Sequence, residues 1–141
     1  MANYSATVRT NYFSVKDETA FRNLIEASRA AEDQLNLFEQ NQEDGNMKFG
    51  FGCQSYILGA PDPSDNNSLN TEYLYECLQG LVPDDDAIII TEIGSEKLRY
   101  VTAFSTVITK DKIQTIDIST IALDLARKLL NNPDYYTKMD Y

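Results

Sequence analysis

The chain opens on a strict alternation. Tyr4, Ala6, Val8, Thr10 and Tyr12 share one parity and Ser5, Thr7, Arg9 and Asn11 the other, a period of two that predicts a strand with one buried face. Phe13 and Val15 then fall on the opposite parity, so a bulge is expected near Asn11 or Tyr12. Asp17 is placed to cap a helix with Glu18 in its first turn, and Phe21, Leu24 and Ile25 follow at helical spacing as one buried stripe that runs to about Ala30 or Ala31. Leu35 and Leu37 alternate with polar neighbours, as do Met47, Phe49, Phe51 and Cys53, and the polar residues between them predict a hairpin. Gly50 and Gly52 leave one face of its second strand bare, which requires exposure or the close approach of another backbone.

Residues 59–67, with Gly, two Pro, Ser and Asn, have the composition of an ordered loop. Leu74, Cys77, Leu78 and Leu81 recur at helical spacing, opened by Ser68 or Asn70 as a cap and closed by Gly80 and Pro83. The unbroken apolar run Ala87, Ile88, Ile89 and Ile90 predicts a central strand buried on both faces. Gly94, Ser95 and Glu96 should turn the chain into a strand over 98–109, and Lys110 and Asp111 into another over 112–118, completing a meander. Ser119 can cap a last helix whose buried face is Ala122, Leu125, Ala126 and Leu129, with Asp124 and Lys128 as a supporting pair and Pro133 as its stop. The tail, residues 133–141, carries three tyrosines and is expected either to be partly ordered or to pack on the body or on another copy. The predicted fold is α+β: one domain over residues 1–141, with an antiparallel or mixed sheet of about five to six strands and three helices mainly on one face.

At 141 residues and 43% hydrophobic content the chain is of ordinary single-domain size and composition. No apolar run reaches membrane-spanning length and the opening residues form no hydrophobic leader, so a cytoplasmic protein is expected. Cys53 and Cys77, without zinc-binding spacing, are read as free buried thiols. Histidine is absent, which removes Ser-His-Asp and Cys-His mechanisms and imidazole metal ligands.

Charge changes the picture most. The net charge is −10, and residues 49–96 contain no Lys or Arg but nine acids: Asp62, Asp65, Glu72, Glu76, Asp84, Asp85, Asp86, Glu92 and Glu96. This argues against direct nucleic-acid binding, which needs cations on the protein, and marks the nine as a candidate acidic interaction surface for a basic protein partner. An inhibitor that presents carboxylates where a nucleic-acid-binding enzyme expects phosphates is the first function class.

The second is a small-molecule-binding module or accessory subunit, with a pocket between the sheet and residues 59–67 walled by Phe49, Phe51 and Tyr56. Arg9, Asn11 and Tyr12 are candidate ligand-facing groups on the first strand. Three consecutive aspartates cannot all turn to one ion, so Asp84, Asp85 and Asp86 are read as a solvated turn and no metal site is assigned. Glu92, Glu96, Lys97 and Arg99 are read as a salt-bridged hairpin end. Phosphate-loop, dinucleotide and hydrolase signatures are missing, no nucleophile and base pair can be named, and neither a cofactor nor catalysis is expected. The tyrosine-rich tail and the bare strand suggest a homodimer.

Two blocks, Thr7-Val8-Arg9-Thr10-Asn11-Tyr12-Phe13-Ser14-Val15-Lys16-Asp17-Glu18 and Glu96-Lys97-Leu98-Arg99-Tyr100-Val101-Thr102, resemble an uncharacterised family of small acidic proteins from bacterial plasmids, phages and integrated elements. The resemblance implies a mobile-element setting in which counter-defence or element maintenance is the role. It carries no catalytic residue.

Overall fold

The alternating segments pair into a six-stranded antiparallel sheet in a computed structural model that describes residues 4–138. Residues 1–3 and 139–141, including the end of the aromatic tail, lie outside the described part. The strands are β1 (Ser5–Thr10), β3 (Asn36–Asn41), β4 (Met47–Cys53), β7 (Ile88–Glu96), β8 (Tyr100–Ile108) and β9 (Ile113–Asp117), in spatial order β3-β4-β1-β7-β8-β9. A second, three-stranded sheet joins β2 (Arg29–Ala30), β5 (Ile57–Asp62) and β6 (Ser68–Asn70). Three helices, α1 (Glu18–Ala27), α2 (Thr71–Leu81) and α3 (Ile118–Leu130), complete an α+β fold of nine strands among the described residues.

The opening strand lies at the centre of the large sheet because both of its edges are paired. Ser5 to Thr10 run opposite Ser95 to Ile90 of β7, and Val8 and Arg9 face Cys53 and Gly52 of β4. Ala6, Val8 and Thr10 point inward and are buried. The parity change after Thr10 is met by the expected bulge: Arg9 pairs with Gly52 but Phe13 with Phe49, so four steps along the first strand oppose three along β4. At the bulge the Asn11 backbone amide still donates to the Ile89 carbonyl at 3.3 Å, and its side-chain amide continues the pairing: Nδ2 donates to the Ala87 carbonyl at 3.0 Å and Oδ1 accepts from the Ile89 amide at 2.8 Å. Phe13 then rejoins β4 through paired backbone bonds with Phe49, each 2.8 Å, and is fully buried.

Helices α1 and α2 pack on the inner face of the sheet, each opened by the predicted type of cap. Asp17 Oδ1 accepts from the Ala20 amide and Asn70 Oδ1 from the Tyr73 amide, both at 3.0 Å, satisfying donors that a helix start leaves free. Phe13, Phe21, Phe49 and Phe51 form the centre of the core, with Phe13 meeting Phe21 and Phe51 edge-on at centroid distances of 5.6 and 6.3 Å. Leu74, Leu78, Val82, Ile88 and Ile108 close it. The bare face at Gly52 reflects close approach: a Cβ there would meet the Val8 carbonyl oxygen at 2.6 Å.

Several expectations are corrected. α1 ends at Ala27, where Ser28 turns extended as its cap, because the following residues are drawn into β2. Residues 59–67 are not all loop: β5 and β6 pair across a 3-10 turn at Pro63–Asp65, and turn-forming residues obscured strands this short. Gly94, Ser95 and Glu96 belong to β7, and the turn lies beyond them, where Lys97 adopts φ 51°. Asp117, not Ser119, caps α3, accepting from the Ser119 amide at 2.7 Å. Asp124 pairs with Arg127 at 3.3 Å instead of with Lys128. Ile89 is 38% exposed although Ile88 and Ile90 are buried, and α3 buries none of its residues. Both follow from one cause: the helical layer covers only the inner face of the sheet.

Candidate functional site

Ile88, Ile90 and Glu92 share one parity of β7, so a carboxylate follows two buried aliphatics onto the covered side of the sheet. Around it lies a cleft of about 410 Å3 where the α2 and β5 layer ends over β7, β8 and β9. Tyr4 comes from the residue before β1, Tyr56 from the segment before β5, Tyr75 from α2 and Phe104 from β8. Thr71, Thr106 and Thr115 add hydroxyls. Three phenol rings and one phenyl ring thus surround a single acid.

The Tyr4 hydroxyl donates to Glu92 Oε2 at 2.6 Å and lies 2.7 Å from Thr102 Oγ1. Its ring sits 5.9 Å from that of Tyr56. Gly94 makes room for it: a Cβ at that position would come within 2.6 Å of the Tyr4 ring and 2.8 Å of the Ser5 carbonyl oxygen. Burial, and then the hydrogen bond to Glu92, raise the Tyr4 phenol above its ordinary pKa. Burial, followed by the Glu92 charge, does the same at Tyr75. Both phenols are therefore neutral donors at physiological pH. Among the described residues no Lys or Arg is ion-paired with Glu92, so the cleft has a negative floor and electron-rich aromatic walls. That field suits a positively charged group.

The sequence-predicted residues are placed as follows. Asp62, Asp65, Glu72 and Glu76 lie on β5, the 3-10 turn and the first half of α2. Asp84, Asp85 and Asp86 follow α2, with Asp84 paired to Lys110 at 3.4 Å and Asp86 accepting from the Ser14 amide at 2.7 Å. Glu92 is in the cleft and Glu96 ends β7. Residues 86 and 96 stand at opposite ends of that strand, separated by roughly 30 Å at ordinary strand rise. The nine acids therefore occupy several sites along the molecule. Glu92 bonds Tyr4 in place of the expected hairpin salt bridge, and the Arg99 guanidinium lies 5.0 Å from the Tyr100 ring.

Arg9 stacks on Phe38 at 4.3 Å and reaches the Tyr12 hydroxyl at 3.2 Å, while Asn11 is occupied by the β7 backbone. Phe49 and Phe51 are in the core; of the three proposed pocket walls only Tyr56 lines the cleft. Both cysteines are free. Burial raises the Cys53 thiol, which donates to the Ser55 carbonyl at 2.8 Å; Cys77 is half-buried. No group of three or more His, Cys, Asp or Glu side chains able to hold a metal occurs among the described residues, and none of their helices is long and apolar enough to cross a membrane.

Tyr75 and Phe104 were missed because neither belongs to a local motif; the legible signal was an acid on the buried parity of a strand. Fold and cleft together define an α+β domain with one aromatic-walled, carboxylate-floored cleft. The chain matches no protein-family model, no curated protein and no solved structure.

Proposed function

We propose that the protein is a non-enzymatic binding module whose cleft receives an organic cation, either an ammonium or a guanidinium group. The observation that carries this reading is the Glu92 carboxylate, ion-paired with no Lys or Arg among the described residues, beneath Tyr4, Tyr56, Tyr75 and Phe104. An ammonium group over such rings gains from their negative faces, and Glu92 supplies a charge-assisted hydrogen bond or a counter-ion. The net charge of −10 raises the local concentration of cations at the surface. A free metabolite and a Lys or Arg side chain of a basic protein partner present the same chemistry. The second source agrees with the mobile-element setting that the two resembling blocks imply, in which a cytoplasmic partner would be held.

The test is a nuclear magnetic resonance titration with choline, a neutral isosteric alcohol, and a Lys- and Arg-containing peptide. Choline is expected to saturate shifts at Tyr4 and Tyr75, the neutral alcohol to bind roughly tenfold more weakly, and Glu92→Gln to erase the difference. A peptide that binds much more tightly than choline assigns the site to a protein partner; the reverse assigns it to a small molecule. Equal affinity for choline and its neutral counterpart, or no shift with any of the three at millimolar concentration, would refute the proposal.

A further inference from the structure

The β7 to β9 part of the large sheet, on the face opposite the cleft, is uncovered by any helix that buries it among the described residues and carries no charge of its own; the charges on this face, Arg9 and Lys48, belong to β1 and β4. In the antiparallel register the outward positions of β7, β8 and β9 are ten, from Ile89 to Ile116, and none is acidic or basic. On the solvent side of an antiparallel sheet, polar and charged residues are the rule. The apolar run at Ala87 to Ile90 is likewise that of a strand covered on both sides, yet only one side is covered here.

Helix α3 continues this surface. Ile118, Ile121, Leu125 and Leu129 form a stripe at helical spacing, and all four are between 47% and 77% exposed. Between helix and sheet runs a trough of about 210 Å3, floored by the small side chains Thr91, Ala103 and Ser105 and rimmed by Ile93, Ile116 and Ile121. The surface thus has a ridge and a recess side by side, the arrangement a two-fold contact needs, since each copy must supply both.

We propose that this face docks a second copy of the chain, with α3 of each protomer laid on the outer sheet face of the other. Size supports the assignment: the stripe, Ile93, Val101 and Ile116 together expose on the order of 600 Å2 of apolar surface. A stable dimer buries about 800 Å2 per partner, of which about 65% is apolar. Charge supports it too, because the outward positions of β7 to β9 hold no acid, so pairing them brings none of the carboxylates behind the net −10 face to face. A lipid surface is a poorer occupant, since a chain of net −10 is repelled by an anionic membrane. The cleft lies on the other side of the sheet, so this contact stands independently of the cation reading and leaves both clefts of the dimer open.

Sedimentation equilibrium of the full chain across micromolar concentrations tests it. A reversible dimer is expected. Leu125→Glu and Ile93→Glu should each weaken it by roughly a hundredfold or more, because a two-fold interface buries the introduced carboxylate twice. Both positions are more than half exposed in a single copy, so circular dichroism should report an intact fold for both variants. Glu76→Ala, on α2, should leave the dimer unchanged. A chain that stays monomeric throughout, or a dimer that survives either glutamate substitution, overturns the proposal.

Discussion

Asn11→Ala removes the side chain that fastens the end of β1 to β7 beside the last backbone bond, from the Asn11 amide to the Ile89 carbonyl at 3.3 Å. Two hydrogen bonds are lost, of 3.0 Å to the Ala87 carbonyl and 2.8 Å from the Ile89 amide. A typical hydrogen bond contributes about 1 kcal/mol net, and an orphaned buried partner costs more. Ile89 is 38% exposed, so water can replace part of the loss on that side. The expected destabilisation is about 1.5 kcal/mol, which at this chain length corresponds to a fall in Tm of roughly 6 °C. Urea unfolding at one fixed protein concentration should show the midpoint reduced with an unchanged m value, and hydrogen exchange should accelerate at the Ile89 amide. Asn11→Asp is the informative control. It keeps an acceptor for the Ile89 amide but turns a carboxylate oxygen toward the Ala87 carbonyl, so it should destabilise at least as much. A loss below about 0.5 kcal/mol, within the range of an ordinary surface substitution, would refute the fastening role. Weakened ligand binding without a change in stability would instead return Asn11 to the ligand-facing role suggested by its place on the first strand.

Three further outcomes follow from the same geometry. Leu78, on the buried face of α2, is fully buried in the core, and Leu78→Ala should cost about 3 to 4 kcal/mol through the cavity it leaves, measurable by chemical denaturation. The Tyr4 and Tyr75 phenols have raised pKa values in the folded chain. The stability tied to their protonation is therefore whole below pH 10, the ordinary value, and is lost as pH rises through the raised folded values. Glu92→Gln should bring phenolate absorbance in at lower pH, and an unchanged alkaline titration would contradict the Glu92 contribution. Native-state alkylation should modify the half-buried Cys77 well before Cys53, whose thiol is buried and bonded to Ser55; equal rates on both, resolved by peptide mass, would contradict the packing.

What the sequence determined by itself is what short-range periodicity encodes. The α+β class, the opening strand, the hairpin of β3 and β4, the meander of β7 to β9 and the caps at Asp17 and Asn70 all follow from spacing that neighbouring residues impose on one another. Strands of two or three residues are too brief to show a period, so the small sheet was hidden among Gly, Pro and Asn. The cleft was hidden for a different reason. Tyr4 and Glu92 are 88 positions apart, and Tyr4 and Thr102 are 98; only sheet order brings them within hydrogen-bond distance. Periodicity also says that a face is apolar without saying whether the same chain covers it. Ile88 and Ile89 read alike as letters, and α1 and α2 cover one of them and leave the other open. The stripe of α3 was legible for the same reason and its exposure was not, because burial is a property of what lies opposite, and that is set by tertiary packing.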